Sequence, residues 1–262
     1  MLSADQVAHY QSNGYVKVEG LLSPSEVDEL NGEMNWLIDE WWGEDSIGWR
    51  GPWREAYLSE DEQYATKAVF ISSPHMYSSA WSRIIFHGEL VSSLQSLIGQ
   101  DVQWHHTVLH AKPPEIGTPF PMHQDYPFYP HDGPNFVDCL IHLDPTPPES
   151  GCLQVVPGSH RDGPLEHVTG EHTRPYLPTD MYHPDKVDTV SVSAKAGDVI
   201  FFSYYTIHWS DVNRTDSWRK SVRIGYHTPD TRPIGKAADE PNNNIMVGGT
   251  KQHRQEPKLT YR

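Results

Sequence analysis

Apolar residues recur at helical spacing near the start of the chain and at strand spacing further on, and that change of period divides the sequence. Ser3 with Gln6 forms a capping box before a short helix that ends at Asn13-Gly14. Tyr15-Val16-Lys17-Val18 alternates like a strand. Ser23-Pro24-Ser25-Glu26 is a stronger start signal, with Ser at the N-cap, Pro at the first helical position and Glu at the third. Val27, Leu30, Met34, Leu37 and Trp41 follow as one apolar stripe, which predicts a helix packed on the outside of a sheet. A further helix is predicted over Glu89 to Ile98, ending at Gly99.

From about Trp104 short apolar stretches are separated by Pro, Gly, Asp and Asn clusters. Val137, Cys139, Ile141 and Leu143 alternate, Cys152 to Val156 follows the turn at Pro147–Gly151, and Gly197-Asp198 precedes Val199–Phe202. Val222, Ile224 and Tyr226 alternate with Ser221, Arg223 and Gly225. Many short strands joined by turns predict an antiparallel sandwich or barrel. No linker and no repeat interrupts the chain, so one domain is expected: a mostly helical front (1–100), a β core (101–230) and an irregular tail (231–262). Lys112-Pro113-Pro114 reads as the start of an extended loop, and Pro157-Gly158-Ser159-His160 as a tight turn.

Composition narrows the function. The net charge of -15, from 20 Lys+Arg against 35 Asp+Glu, disfavours nucleic acid as a partner, because phosphate neutralisation needs clustered cations. It also weighs against a highly anionic substrate, although a local basic pocket can survive in an acidic protein. Cys139 and Cys152 are the only cysteines, too few for a thiolate zinc cage, and both are read as reduced. No apolar run approaches a membrane span and no secretory signal is visible, so a soluble, cytoplasmic enzyme is the expectation. Sixteen histidines are many, and most must be surface or core residues; spacing has to pick out the others.

Met122-His123-Gln124-Asp125 contains His-x-Asp, and on a strand residues two apart face one side. A second histidine is needed from a distant strand, and His208, after Val199–Phe202, is the candidate. Two imidazoles and one carboxylate make the facial triad of iron(II) oxygenases, with open positions for a chelating co-substrate and dioxygen. The usual co-substrate, 2-oxoglutarate, needs a cationic fork for its distal carboxylate. Arg219 and Arg223 both follow His208 and share a face, roughly 13 Å apart at about 3.3 Å per residue, so one cannot replace the other.

The ordered set Lys112-Pro113-Pro114, His123-Gln124-Asp125, Glu149-Ser150-Gly151-Cys152-Leu153, Pro157-Gly158-Ser159-His160, Gly197–Phe202, His208-Trp209-Ser210 and Asn213-Arg214-Thr215-Asp216 resembles the phytanoyl-CoA dioxygenase family. The resemblance runs from the first helix to about Asp230. It implies a mainly β protein with a double-stranded β-helix (jelly-roll, cupin-like) core and flanking N-terminal helices. It implies iron(II) held by His123, Asp125 and His208, with 2-oxoglutarate and dioxygen as co-substrates. Arg219 matches the position that pairs with the distal carboxylate and is preferred to Arg223. Ser210 matches a hydroxyl that helps hold the same carboxylate, and Lys67 matches, more loosely, a lysine that reaches the co-substrate. Leu140 stands where some relatives have Trp, a departure that bears on the pocket wall.

The expected reaction is hydroxylation of an unactivated C–H bond of a small organic molecule, with release of succinate and carbon dioxide. Desaturation, epoxidation and cyclisation are related outcomes; halogenation is not expected, because Asp125 sits where chloride would. The rival readings are a non-catalytic jelly-roll binding protein and an enzyme using another divalent metal; neither needs the Arg219 anchor. Trp53, Tyr126, Tyr129 and Trp209 are candidates for the substrate pocket, and His106, which shares a face with His110, is a candidate to approach it. Trp41 to Phe70, Tyr126 to Pro134 and Thr169 to Asp185 are the segments expected to select substrate, the last two as lids.

Overall fold

The computed structural model describes residues 1–41, 51–171, 173–235 and 245–250. The front half carries α1 (Ala4–Asn13), β1 (Tyr15–Val18), α2 (Pro24–Trp41), the short α3 (Arg54–Tyr57) and α4 (Glu60–Ala65), β2 (Val69–Ser72), α5 (Ser79–Ile84) and α6 (Gly88–Ile98). Strands follow: β3 (Val102–Lys112), β4 (Phe120–His123), β5 (Phe136–His142), β6 (Leu153–Val155), β7 (Val168–Gly170), β8 (Thr173–Tyr176) and β9 (Val190–Val192). The last are β10 (Val199–Ser203), β11 (His208–Ser210), β12 (Arg219–His227) and β13 (Ile245–Gly248).

The caps read from the sequence are made. Ser3 accepts from the Gln6 backbone at 3.2 Å while Gln6 Oε1 accepts from Ser3 N at 2.9 Å, and Gly14 ends α1 at φ 81°. Glu26 reaches back to Ser23 N at 2.8 Å. Each capped start costs about 1 kcal/mol to lose.

Seven strands form the larger antiparallel sheet, in the order β1-β10-β5-β12-β3-β13, with β2 also on β3. The eleven-residue β3 holds two neighbours on one edge: β13 pairs near Trp104 and β2 pairs from Val108 to Ala111. Thus Ile245–Gly248, in the stretch expected to be irregular, extends the sheet. Four strands, β4-β11-β6-β9, form the smaller sheet, and β7-β8 is a separate hairpin.

The larger sheet is covered on both faces, which explains its strand sequences. Val137, Cys139, Ile141, Val199, Phe201, Val222, Ile224 and Tyr226 pack with Leu30, Met34, Leu37, Trp81, Leu90 and Leu94 of the helices. The alternate residues point the other way, where Leu140, Ile200 and Phe202 meet Leu153, Val155 and Val192 of the smaller sheet. The two sheets are the jelly roll, and the space between them at the Arg219 end of β12 is where the polar residues collect.

Candidate metal centre and active-site cavity

β4 and β11 are antiparallel neighbours, and His123 and His208 are direct cross-strand partners with ring centroids 4.2 Å apart. Both are buried. His123 Nδ1 lies 2.7 Å from the Pro121 carbonyl, and His208 Nδ1 lies 2.9 Å from the Thr206 carbonyl. A carbonyl only accepts, so each Nδ1 carries the hydrogen and each Nε2 carries the lone pair. Asp125 brings Oδ1 to 3.8 Å from His123 Nε2 and Oδ2 to 3.8 Å from His208 Nε2. One ligand atom from each residue lies within 4.8 Å of the others.

The route to this geometry differs from the strand argument. β4 ends at His123, and Asp125 sits in a turn with φ -77° and ψ -21°. Asp125 N donates to Tyr204 O at 3.0 Å. Gln124 fixes the turn from the other side: its Nε2 donates to Gly163 O and Tyr205 O at 2.8 and 2.7 Å, and its Oε1 accepts from Leu165 N at 2.8 Å. The His-x-Asp pair converges because buried hydrogen bonds shape the turn, with no strand pleat at Asp125.

Arg223 donates to Asp125 Oδ1 in a short ion pair. Burial alone pushes the Asp125 carboxyl up, but Arg223 and the two imidazoles overcome it and hold the group well below the usual carboxylate range. Asp125 Oδ2, on the side of His208, is buried without a hydrogen-bond partner. Burial, then His208, keeps His123 neutral by pulling it well below the ordinary imidazole value. Two imidazoles that each present Nε2 and an ionised carboxylate with one unused oxygen fit a divalent ion with open positions.

The cavity beside the triad has a volume of about 100 Å³. Phe70, Phe120, Phe128 and Trp209 line its apolar side, and His110, Arg174, Ser210, Arg219 and Arg223 its polar side. Arg219 is only 3% exposed, and its Nε has no hydrogen-bond partner. Burial lowers the guanidinium to about 10. An orphaned buried fork of this kind fits the distal carboxylate of 2-oxoglutarate. Ser210 lies beside it, and its Oγ accepts from Lys112 Nζ at 2.7 Å. Lys112 is fully buried, donates also to Asp211 O at 2.6 Å, and is the ladder partner of Arg219.

The residues singled out from sequence therefore divide. His123, Asp125, His208, Ser210 and Arg219 come together. Arg223 also faces the cavity, as its even spacing from Arg219 requires, but its partner is Asp125. Lys67 is exposed and does not line the cavity; its backbone pairs with Ile116 and Thr118. Leu140 forms part of the wall. Of the four aromatic candidates Trp209 lines the cavity. Trp53 packs behind Phe120, Tyr129 lies over Arg223, and Tyr126 packs on Tyr204 and Tyr205. His110 lines the cavity, whereas His106 lies 3.4 Å from the buried Asp138. His105 is the extra residue of a bulge opposite Gly225/Tyr226, which breaks the alternation that the sequence suggests for β3. Lys112 and Arg174 were missed. The even spacing of Val108, His110 and Lys112 was the available sign for the first; the second lies in a hairpin with no motif.

Fold and relatives together define an oxygenase dependent on iron(II) and 2-oxoglutarate, and the two histidines and one carboxylate are its candidate metal centre. The sequence profile of the phytanoyl-CoA dioxygenase family matches residues 10–221, and the chain belongs to that family. A probable alpha-ketoglutarate-dependent hypophosphite dioxygenase of Stutzerimonas stutzeri is 27% identical over 255 residues, 94% of this chain and 86% of that protein. An ectoine dioxygenase of Bordetella bronchiseptica is 28% identical over 246 residues, 87% of this chain and 76% of that protein. The same fold is seen in the epimerase SnoN in complex with Fe3+, alpha ketoglutarate and nogalamycin RO (TM-score 0.71, 24% identity, 94% and 95% of the two chains). It is seen again in EctD from S. alaskensis with 2-oxoglutarate and 5-hydroxyectoine (TM-score 0.67, 22% identity, 92% and 81% of the two chains).

Proposed function

We propose that this oxygenase hydroxylates a C–H bond of a small organic metabolite, with His123, Asp125 and His208 as iron ligands and Arg219 and Ser210 as the co-substrate anchor. The observation that carries the reading is the pairing of two incomplete features in one cavity. Three ligand atoms converge on a common point, and a buried guanidinium without a partner faces the same space. Bound iron supplies dioxygen activation coupled to decarboxylation of 2-oxoglutarate to succinate and carbon dioxide.

The protein's own part is to bind, orient and exclude water. The carbonyls of Pro121 and Thr206 fix both imidazole tautomers. Arg223 takes one Asp125 oxygen and so leaves the carboxylate a single metal-facing atom. Arg219 turns the distal carboxylate of the co-substrate to one end of the cavity, which sets the direction of the rest of the molecule. The four aromatic side chains keep the opposite wall dry. The names of two relatives support a compact substrate, since hypophosphite and ectoine are small. No helix among the described residues is long and apolar enough to cross a membrane.

The test is an anaerobic titration of the protein with iron(II) and 2-oxoglutarate. The weak visible charge-transfer band of a chelated 2-oxo acid is expected, and His208→Ala is expected to lose it. Iron-loaded protein that shows no band at saturating co-substrate sinks the reading.

A further inference from the structure

The cavity has a charge problem that the oxygenase reading leaves unsolved. Among the described residues its lining contains three guanidiniums, Arg174, Arg219 and Arg223, and no carboxylate. Asp125 is the one acid at the centre. With a divalent ion and 2-oxoglutarate in place, five positive charges face three negative ones. This excess lies inside a protein whose net charge is -15. Unbalanced charge is costly where water is excluded, as at Arg219, while Arg174 keeps contact with solvent and is open to an arriving anion.

Two of the guanidiniums have roles: Arg223 pairs with Asp125, and Arg219 faces the co-substrate end beside Ser210. Arg174 has none. It lies on β8, is exposed as a residue while lining the cavity, and its side chain makes no hydrogen bond or ion pair among the described residues. Its direction is set by its neighbour two residues on. Tyr176 is buried against Trp53 and Phe120, and residues two apart on a strand face the same side. Burial, then Arg223, pulls the Arg174 guanidinium down, as expected of a cation turned toward another cation. His110 sits among all three guanidiniums and is held neutral by burial and by them, so it adds hydrogen-bonding capacity without more charge.

We propose that Arg174 receives an oxyanion of the substrate, which is therefore a small molecule bearing a carboxylate or a phosphorus oxyanion, held with that group at the β7–β8 hairpin. Its remaining part lies along Phe70, Phe120, Phe128 and Trp209, between the guanidinium and the metal. The charge expected from bulk composition is thus reversed locally: an acidic protein selects an acidic substrate. This inference rests on the oxygenase reading.

The experiment uses the full chain loaded anaerobically with iron(II) and saturating 2-oxoglutarate, so the charge-transfer band first reports on the oxygenase reading by itself. Benzoate, methylphosphonate and the neutral benzamide are then titrated as probes, following the shift of the band. Anions are expected to act at concentrations at least tenfold lower than benzamide. Benzoate against methylphosphonate ranks carboxylate and phosphorus sources. Arg174→Gln is expected to erase the preference tenfold or more, with the 2-oxoglutarate dissociation constant changed less than twofold; Arg174→Lys is expected to keep part of it. Three results overturn the proposal: equal or stronger effects from benzamide, an anion preference that survives Arg174→Gln, or no anion effect up to tens of millimolar. An anion effect that vanishes as 2-oxoglutarate is raised also overturns it, since the anion is then competing at Arg219.

Discussion

Arg219→Met should move stability and co-substrate affinity in opposite directions. The side chain is 3% exposed, and its Nε lacks a partner. Burial lowers the guanidinium to about 10. Relative to a free guanidinium that fall represents a cost of about 3 kcal/mol for holding the charge in the ligand-free fold. Both the folded and the unfolded values lie above pH 8, so the penalty is fully present, and constant, from pH 6 to 8. Methionine removes the charge and keeps most of the stem. The lost guanidinium packing offsets part of the gain, leaving roughly 1–2 kcal/mol, or about 3–6 °C in Tm for a chain of this size. Co-substrate binding behaves in reverse. Breaking a buried, bidentate charge pair costs about 3–5 kcal/mol, roughly 150- to 5,000-fold in dissociation constant. Calorimetric melts of the metal-loaded protein, with and without 2-oxoglutarate, read both effects. The variant should melt above the wild type without 2-oxoglutarate and below it with saturating 2-oxoglutarate, where wild type gains about 2.7 kcal/mol at a hundredfold excess over its dissociation constant. A variant that melts lower without ligand and binds 2-oxoglutarate within threefold of wild type refutes the assignment of this buried charge.

Lys112→Met tests whether the lysine behind Ser210 acts through the distal carboxylate. The variant should weaken 2-oxoglutarate about 10- to 100-fold, at 1.5–3 kcal/mol for a charge-assisted bond, and leave 2-oxovalerate, which lacks that carboxylate, unchanged; an equal loss for both 2-oxo acids assigns Lys112 to structure alone. Asp138 gives a pH prediction: burial, then Asp125, raises its carboxyl to about 8, so between pH 4 and 8 the folded state holds a proton that the unfolded state releases. Stability of the metal-free protein should fall as pH rises through that window, by up to about 1.4 kcal/mol per pH unit. Asp138→Asn, which keeps the acceptor for Tyr129 Oη (2.7 Å), should flatten the slope in urea unfolding at pH 5 to 8; an undiminished slope in the variant places the titrating group elsewhere.

The amphipathic stripe Val27–Leu30–Met34–Leu37 and the alternation in Val222–Ile224–Tyr226 were legible because each reports one local period against one buried surface. The candidate iron ligands were legible as a cluster for a different reason. His123-x-Asp125 is a short motif, and its distant partner His208 was found by chain order, yet the structure joins them by cross-strand register and by a turn that Gln124 clamps. Sequence spacing placed Arg219 and Arg223 on one face but could not say which carboxylate each would meet, because Asp125 approaches β12 from 98 residues away. The same limit hid Arg174. Among the described residues its hairpin pairs only with itself, so no periodicity ties it to the cavity it lines. The bulge at His105 was invisible because nothing in His105-His106 distinguishes an inserted residue from a paired one.

Four of the buried side-chain polar atoms that lack a partner cluster at one strand. Asp125 Oδ2, Arg219 Nε, Ser221 Oγ and Arg223 Nε all lie on or against the inner face of β12. Each costs about 1–3 kcal/mol in the absence of a ligand, so together they represent a large fraction of the stability of an ordinary domain. A fold can carry such a deficit only where the surrounding structure over-determines it. Here β12 is held by β3 from Arg219 to His227 and by β5 from Ser221 to His227, and its outer residues Val222, Ile224 and Tyr226 are locked into the helix-covered core. The rigidity of one face therefore makes the strain of the other tolerable. It also fixes the positions of the guanidiniums before any ligand arrives, so little ordering entropy is left to oppose binding. Substitutions in the outer face of β12, though they touch no cavity residue, act on the same geometry, because a strand that tilts to fill a void at Val222 or Ile224 carries Arg219 and Arg223 with it.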